Sequence, residues 1–336
     1  MRILSISIPY PPIVSGLGRV AFDLNEEWTR LGHHVEAAVW SDGAVEAAHT
    51  IHRPVDAAAV RRLADCFDVL VTHEFFWNQH PWLYLSRRPF VVVNHALSTP
   101  PLLSRAGLFR RVVHSRAAGL VAVSRYLAKT MPKRTRVIYN PVDLPDEDVG
   151  GDRTGQLLFV GRIAPGKGLD RLLRWMTRWE HPVPSLTVIG EGPMLEQCRT
   201  LAAEGNLRVQ FLGAQPSEHV LKEMRRHRVV VIPSHPHGGW NEGLCLVAFE
   251  ALASGATVVA SEVGGLPEAV GESGLLVPCD DGDAWHSAVR TALADDSLRQ
   301  RGLALFRERW KGWTLERVAR EYLLLFEQIL EKRRST

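Results

Sequence analysis

The chain has 336 residues, of which 46% are hydrophobic, and its formal net charge is +3. This length exceeds one ordinary domain and accommodates two of about 150 residues, while so small a net charge gives no indication of nucleic-acid binding. The four cysteines are far apart without a CxxC pair, so neither a zinc site nor a disulfide framework is predicted. Prolines interrupt the apolar start, and no run of about 18 apolar residues follows, so we expect a cytoplasmic protein without a signal peptide.

Short apolar runs alternate with amphipathic segments through the first part of the chain. This alternation is typical of a parallel sheet whose strands are joined by crossover helices. An amphipathic helix is predicted at 18–31. The predicted strands lie at 2–8, 35–39, 68–72, 90–94, 120–124 and 136–139.

A segment rich in proline, glycine and acidic residues, 140–152, interrupts this pattern and predicts a linker. At the end of the chain, apolar residues recur at helical spacing over 315–330, a stripe that must dock on another surface. We therefore predict an α/β protein with two Rossmann-like domains, 1–145 and 152–312, and a final helix within 313–336 that crosses back to the first domain. The strands predicted for the second domain lie at 156–160, 185–189, 209–212, 229–232 and 257–260.

The segment 241–255 combines two carboxylates with a helical stripe that a glycine ends. Glu242 and Gly243 are expected just before the helix, so backbone N–H groups near Leu244 would face a ligand, and a helix N-terminus favours phosphate. Glu250 follows Glu242 by eight residues, about 12 Å along a helix, similar to the span from hexose to ribose in a nucleotide-sugar. The alternative is that Glu250 is an exposed helix residue and Glu242 only a partner of the helix dipole.

Two cations lie in a glycine-containing turn, 160–170, that follows a predicted strand and opens a helix. Arg162 and Lys167 could both lean over a diphosphate and stabilise the charge of a leaving nucleotide without a metal. The turn does not satisfy the Walker A pattern, GxxxxGK followed by Ser or Thr. The alternative is a pair of surface cations on a glycine turn.

Together these segments resemble retaining glycosyltransferase family 4, which has the GT-B fold of two Rossmann-like domains with parallel sheets facing across a cleft. The block "EGLCLVAFEALASGATVVASEVGGLPEAV" has the family's E-x7-E spacing, and "GRIAPGKGLD" is similar to its phosphate-binding loop. "VIGEGP", "VAVSRYLA" and "VIYNPVD" also match, although the family usually has glycine where Pro141 stands. The resemblance covers nearly the full length and is looser in the first half, which is expected to bind the acceptor.

The resemblance implies a role for each candidate side chain. Arg162 and Lys167 would bind the diphosphate, Glu250 the ribose, and Glu242 the transferred sugar. His95, in "VVVNHALS", matches the family's histidine near the reacting sugar, and its catalytic role rests on this resemblance. The further donor contacts would be Gly190 and Glu191 near the base, and Gly16 and Gly18, which would form a glycine loop beside the phosphates.

The implied activity is transfer of a hexose from a UDP- or GDP-hexose to a hydroxyl of a glycan, glycolipid or small molecule, with retained anomeric configuration. No metal and no cofactor besides the nucleotide-sugar is expected, and the leaving phosphate itself would take the acceptor proton. Two alternatives stay open: a GT-B sugar-nucleotide epimerase, which uses water in place of an acceptor, and a non-catalytic nucleotide-sugar-binding protein.

Two further patterns suggest other chemistry. The segment GLGRVA at 16–21 satisfies the GxGxxG/A motif of dinucleotide-binding enzymes, with Asp42 at a suitable distance, but a long proline-bearing loop separates it from the preceding strand. Asp281 and Asp283 resemble the DxD metal motif and are expected instead to cap a helix.

Histidine and tryptophan side chains suggest sugar contacts rather than a metal site. His235 and His237 lack a neighbouring Asp or Cys, so a loop lining the site is preferred to a metal centre. Trp240, and in the first domain Trp77 and Trp82, could stack on a sugar face, although core packing is the commoner fate of tryptophan.

Residues 75–142 contain no Asp or Glu, whereas 87–136 is rich in Arg and Lys with interleaved apolar residues. Such a surface suits an anionic bilayer or a phosphate-bearing acceptor and suggests peripheral contact with the inner face of the membrane. The alternative is a solvated face balanced by acids from elsewhere in the fold. The basic residues are Arg87, Arg88, Arg105, Arg110, Arg111, Arg116, Arg125, Lys129, Lys133, Arg134 and Arg136.

Overall fold

The computed structural model describes residues 1–13, 15–53, 56–74, 86–98, 105–142, 144 and 152–335. The chain forms two compact units, one of Met1–Pro141 together with Gly312–Thr336 and the other of Val142–Lys311. The second unit is continuous in sequence, whereas the end of the chain completes the first.

The first unit is built on seven parallel strands. They are β1 (Arg2–Ser7), β2 (His34–Val39), β3 (Thr50–His52), β4 (Val69–His73), β5 (Phe90–Asn94), β7 (Gly119–Ala122) and β8 (Arg136–Val137), and β6 (Leu97–Ser98) is a separate short strand. Their order in the sheet is β3-β2-β1-β4-β5-β7-β8. The central strands β4 and β5 are buried along their whole length, which is why the sequence shows them as continuous apolar runs.

The six strands predicted for this unit are confirmed, with ends shifted by one or two residues. The sequence does not predict β3, because this edge strand is short and carries no apolar run. The helices that precede and follow the strands are α1 (Gly16–Arg30), α2 (Ala57–Ala64), α3 (Arg105–Arg116) and α4 (Arg125–Lys129).

The second unit has a six-stranded parallel sheet. Its strands are β9 (Gly155–Val160), β10 (Leu186–Ile189), β11 (Val209–Phe211), β12 (His227–Ile232), β14 (Thr257–Ser261) and β15 (Leu275–Val277), in the order β11-β10-β9-β12-β14-β15, and β13 (Trp240–Asn241) is a separate short strand. The helices are α5 (Leu169–Met176), α6 (Leu195–Glu204), α7 (Ser217–Arg226), α8 (Leu246–Ala253), α9 (Leu266–Val270), α10 (Gly282–Ala294) and α11 (Asp296–Trp310). The five strands predicted here are confirmed within two residues.

The final helix, α12 (Leu315–Arg334), packs against α1 in the first unit. At the centre of this contact the fully buried ring of Trp28 meets Tyr322 and Phe326 edge-on, with centroid distances of 5.8 and 5.5 Å. The Trp28 indole N–H donates a hydrogen bond to the Ala319 carbonyl at 3.1 Å. Because burial of one such ring stabilises a fold by about 2–3 kcal/mol, this apolar stripe explains why α12 joins the first unit.

The buried ring of His114 on α3 makes the stability of the first unit depend on pH. Burial, reinforced by Arg110 and Arg134, lowers the pKa of His114 to about 4 from an ordinary value of 6.5. The unfolded chain therefore takes up this proton at a pH where the folded protein does not. Above about pH 6.5 the ring is neutral in both states and does not change the free energy of unfolding. As the pH falls from about 6.5 towards about 4, the free energy of unfolding decreases by up to about 1.4 kcal/mol per pH unit.

The change His114→Leu is expected to remove this proton uptake. Between about pH 7 and pH 5, urea unfolding should show the wild type losing about 1–2 kcal/mol more free energy of unfolding than the variant. His219→Leu, in the second unit, serves as the control and should keep the wild-type dependence. Equal pH dependence of His114→Leu and wild type would contradict this assignment.

Candidate functional site

The candidate site lies where the strand order of the second sheet reverses. From β9, the chain first adds β10 and β11 on one side, and then β12, β14 and β15 on the other. Ligands of open α/β sheets bind at the carboxyl ends of the two strands that flank such a reversal. The segments after β9 and β12 are therefore expected to form the site, and they contain Lys167 and Glu242.

The segment between β9 and α5 is pressed against the segment that follows β12. The His235 N–H donates a hydrogen bond to the Gly166 carbonyl at 2.8 Å. Gly168 has φ +74°, and a Cβ built on it would lie 1.8 Å from the Pro233 carbonyl oxygen. The left-handed backbone conformation disfavours a residue with a side chain, and there is no room for a Cβ, so this position requires glycine. This contact fixes where Lys167 points.

Lys167 and Glu242 form an ion pair, with the Lys167 Nζ 2.6 Å from the Glu242 Oε1. The Ser234 hydroxyl donates to the same oxygen at 2.8 Å, and the Lys167 ammonium lies 5.0 Å from the centroid of the Trp240 ring. Burial alone would lower the pKa of Lys167, but the Glu242 carboxylate outweighs it, so the pKa is raised. Lys167 therefore stays charged through neutral pH.

The backbone around Glu242 is held by the segment after β14. The Gly265 N–H donates to the Glu242 carbonyl at 2.9 Å, and a Cβ on Gly265 would lie 2.0 Å from the Gly243 carbonyl oxygen. Leu244 is buried beside them. Within the part of the chain that the structure describes, the second carboxylate oxygen of Glu242 accepts no hydrogen bond. That oxygen is available to a ligand hydroxyl.

The start of α8 corrects one expectation. The helix begins at Leu246 with Cys245 as its N-cap, so Gly243 and Leu244 precede it by more than one residue. The helical rise therefore does not apply to the whole span from Glu242 to Glu250. Cys245 lies between Glu242 and Glu250 in the sequence. Burial raises the pKa of its thiol to about 12, so the thiol is neutral at physiological pH. Glu250 is exposed on α8.

The other donor candidates lie on neighbouring loops of the same sheet. Gly190, directly after β10, packs on the loop after β9, since a Cβ there would lie 1.9 Å from the Gly161 carbonyl oxygen. The Ile163 N–H donates to the Glu191 carbonyl at 2.8 Å, which joins the same two loops. Arg162 and the Glu191 side chain are exposed. The structure thus brings the loops after β9, β10 and β12 together at the carboxyl edge.

The two metal-like patterns have structural explanations. Asp281 caps α10, because its Oδ1 accepts hydrogen bonds from the N–H groups of Asp283 and Ala284 at 3.1 and 2.9 Å, which confirms the predicted cap. His237 and Trp240 exchange backbone hydrogen bonds across a tight turn of two glycines, which places Trp240 beside Lys167. Among the described residues, no group of three or more His, Cys, Asp or Glu side chains could hold a metal ion.

In the first unit, His95 lies beside the ends of β4 and β5. Its Nε2 is 3.2 Å from the Nδ1 of His73, and the carboxylate of Glu74 accepts hydrogen bonds from the backbone N–H groups of His95 and Ala96. Burial lowers the pKa of His95 to about 3, and burial together with His95 lowers the pKa of His73. Both rings are therefore neutral at physiological pH.

The glycines of the first unit differ from the expectation. Gly16 and Gly18 belong to the first turn of α1, with Ser15 as the N-cap, rather than to a glycine loop. Gly18 packs closely on the loop after β1, since a Cβ there would lie 2.7 Å from the Pro9 carbonyl oxygen. The sequence did not distinguish the two, because a serine directly before a GxG pattern is compatible with a helix cap as well as with a loop. Trp77 and Trp82 lie outside the described residues.

Three side chains of these clusters were not predicted. Ser234 follows the end of β12 by two residues, and His73 and Glu74 stand where β4 ends. A polar residue at the carboxyl end of a buried parallel strand is the signal that could have identified all three. Glu74 has φ +69°, which is uncommon for a residue with a side chain and marks a constrained position.

Two family models match the chain, "Glycosyltransferase Family 4" over residues 14–145 and "Glycosyl transferases group 1" over residues 150–302. D-inositol 3-phosphate glycosyltransferase from Corynebacterium efficiens is 30% identical over 70% of this chain and 65% of that protein. The protein of the same name from Corynebacterium jeikeium is 38% identical over 44% of this chain and 37% of that protein. The matched region thus spans less than two thirds of the length of these relatives.

Solved structures show the same fold over the whole chain. Sucrose-phosphate synthase from Thermosynechococcus elongatus has a TM-score of 0.78 at 22% identity and covers 98% of this chain and 99% of that chain. Anabaena HepE in complex with UDP-glucose has a TM-score of 0.74 at 18% identity, with 100% of both chains covered. The fold is therefore GT-B, and with both family models matched the chain belongs to glycosyltransferase family 4.

Proposed function

We propose that this chain is a retaining hexosyltransferase that moves a hexose from a UDP- or GDP-hexose to a hydroxyl acceptor. The observation that carries the proposal is the Lys167–Glu242 pair at the reversal point of the second sheet. A buried carboxylate with one oxygen open to a hydroxyl suits a sugar, and an adjacent permanent cation suits a phosphate. Both halves of a sugar phosphate are thereby recognised within one hydrogen-bonded cluster.

The second unit would bind the donor in an extended manner. Lys167 and the exposed Arg162 would contact the diphosphate, and Glu250 the ribose diol. Glu242 would accept a hydrogen bond from a hydroxyl of the transferred hexose, while Gly190 and Glu191 would lie near the base. The indole of Trp240, already beside Lys167, would cover the sugar phosphate from one side.

In the proposed reaction, the bond between the anomeric carbon and the β-phosphate oxygen breaks while the acceptor oxygen attacks the same face of the sugar. The acceptor proton passes to the leaving diphosphate, so no protein base is needed. Lys167 and Arg162 stabilise the charge that develops on the diphosphate, which is the role usually given to a metal ion. No metal ion or cofactor takes part in this scheme.

His95 would act as a hydrogen-bonding group near the reacting sugar rather than as an acid or base. Burial lowers its pKa to about 3, so the ring is neutral at physiological pH. A neutral imidazole donates one hydrogen bond and accepts another. His73 and Glu74 fix the ring and its backbone in place.

We also propose an acceptor and a contact with the membrane. The names of the relatives point to a phosphate-bearing polyol, and we include D-inositol 3-phosphate among the acceptors to be tested. Among the described residues, no helix has the length and apolar character needed to cross a bilayer. The basic segment 87–136 would allow peripheral contact with an anionic membrane on the cytoplasmic side, and salt-sensitive flotation with anionic liposomes tests this contact.

The proposed activity is tested by incubating the protein with a panel of UDP- and GDP-hexoses, with and without acceptor. A transferase releases nucleoside diphosphate in proportion to acceptor and yields a product with the donor's anomeric configuration. Release of a free epimerised sugar would show the epimerase instead. Tight donor binding without any release would show a non-catalytic binding protein.

The change Glu250→Ala is expected to raise the donor KM by about tenfold and to leave kcat within about threefold. The reason is that a ribose contact is the same in ground and transition states, so its loss weakens binding without slowing the chemical step. The matched control is Glu204→Ala, which replaces an exposed glutamate on α6 in the same unit and should leave both KM and kcat unchanged. A fall in kcat without a change in KM would place Glu250 elsewhere in the mechanism.

A further inference from the structure

A pocket lies at the opposite edge of the first sheet from His73 and His95. It has a volume of about 620 Å³ and is lined by the residues that begin β5, β7 and β8 and by the last turns of α12. All of these elements belong to the first unit. The pocket therefore sits at the amino ends of the strands, and nothing in the proposed reaction uses it.

The lining of this pocket is strongly cationic. Seven of its sixteen residues are Arg or Lys and none is Asp or Glu. They come from four separate segments of the chain, so their convergence is produced by the fold and not by one basic run. The seven cations are Arg87, Arg88, Arg116, Arg134, Arg136, Lys332 and Arg333.

The five arginines outside α12 form no ion pair with a carboxylate among the described residues. Arg134 donates to the carbonyls of His114 and Ala117, and Arg136 donates to the side-chain oxygen of Gln328. These are neutral acceptors, so they do not compensate the positive charge of the five arginines outside α12. Arg87 and Arg116 are exposed at the pocket.

The dipole of α12 explains only part of the cluster. Cations are favourable in the last turn of a helix, which accounts for Lys332 and Arg333. The helix dipole does not account for the five arginines from the other segments, which line the same pocket. Several positive charges that line one pocket favour the binding of an anion that contacts more than one of them.

The floor of the pocket is apolar and firmly packed. Phe90, Leu120, Leu325 and Ile329 are buried there, and a Cβ on Gly119 would lie 3.1 Å from the Ile329 side chain. A cationic rim above an apolar floor matches a ligand that carries phosphate at one end. The volume falls within the range of small-molecule sites, about 300–1,000 Å³.

We propose that this pocket binds a phosphate-bearing anion with more than one negative charge and that the bound anion clamps the end of α12 to the sheet of the first unit. Arginine pairs with phosphate through parallel, charge-assisted hydrogen bonds, which is the interaction that five arginines on one rim provide. The phosphate can belong to a ligand free in solution or to a lipid headgroup, and the chemistry of recognition is the same. The site is independent of the proposed donor site.

The test uses the full-length protein and two matched double variants. R87Q/R116Q removes two cations of the pocket without breaking a side-chain hydrogen bond of the described residues. R61Q/R62Q removes two exposed arginines of α2 in the same unit, so the net charge changes equally. Hydrogen–deuterium exchange is measured with pyrophosphate, and separately with phosphatidylcholine vesicles that contain or lack phosphatidic acid.

Pyrophosphate is expected to slow exchange at 87–90, 116–120 and 325–333 in the wild type and in R61Q/R62Q. In R87Q/R116Q its affinity for this site should fall by about tenfold or more, because each charge-assisted hydrogen bond contributes that order of binding. Protection by phosphatidic acid vesicles alone, with the same dependence on the variants, would identify the phosphate as a lipid headgroup. The proposal is overturned if neither probe protects these segments, or if both double variants lose protection equally.

Discussion

Replacing Lys167 by alanine is expected to lower kcat by about 10²–10³-fold while the donor affinity falls by no more than about tenfold. The ammonium is charged at neutral pH and lies beside the position proposed for the diphosphate. Its attraction grows as the leaving nucleotide gains negative charge, so its loss affects the transition state more than the bound donor. Steady-state kinetics together with donor calorimetry separate the two effects.

The control for this change is Lys222→Ala, which removes an exposed lysine of α7 in the same unit. It should retain wild-type kinetics. Because Glu242 loses its partner in Lys167→Ala, thermal unfolding of both variants shows whether the site is still folded. A folded Lys167→Ala protein with activity within threefold of the wild type would contradict the assignment of Lys167.

Replacing Gly168 by alanine is expected to reduce kcat/KM by about 100-fold or more and to destabilise the second unit by about 2–4 kcal/mol. Its φ of +74° is unfavourable for alanine, and the added Cβ would lie 1.8 Å from the Pro233 carbonyl oxygen. The loop after β9 must therefore move away from the segment after β12. This movement separates Lys167 from Glu242 and disrupts the site.

Gly32→Ala separates the two components of this effect. Gly32 has a similar φ of +86°, but a Cβ there would meet nothing within 4 Å. This control should lose about 1 kcal/mol from backbone strain alone and keep its activity. Gly168→Ala behaving like Gly32→Ala in both unfolding and kinetics would show that the close contact at Pro233 does not matter.

Much of the fold could be predicted because its strands are buried on both faces. β4, β5 and β14 are continuous apolar runs in the sequence and are fully buried in the structure. The edge strand β3 could not be predicted so readily, because it is only three residues long and lacks that run. The helical stripe was expected to begin at Leu244, whereas α8 begins at Leu246, because Gly243 and Leu244 pack closely on Gly265 before the helix starts.

The candidate site was predictable in its residues but not in its contacts. Lys167 and Glu242 lie 75 positions apart, and their pairing depends on β9 and β12 being neighbours, which periodicity does not reveal. The hydrogen bond from Ser234 follows from the same adjacency. The low pKa of His95 depends on burial beside β4 and likewise has no sequence signal.

The central claim is that the loops at the carboxyl edge of the second sheet bind the diphosphate of a nucleotide-sugar. Isothermal titration with UDP- and GDP-hexoses tests it most directly, on wild type, Arg162→Ala and Arg178→Ala, the last being an exposed arginine near α5 that lies away from the loop. One donor is expected to bind the wild type and Arg178→Ala equally, and Arg162→Ala about tenfold more weakly. Failure of every donor to bind, or equal binding by all three proteins, would contradict the account.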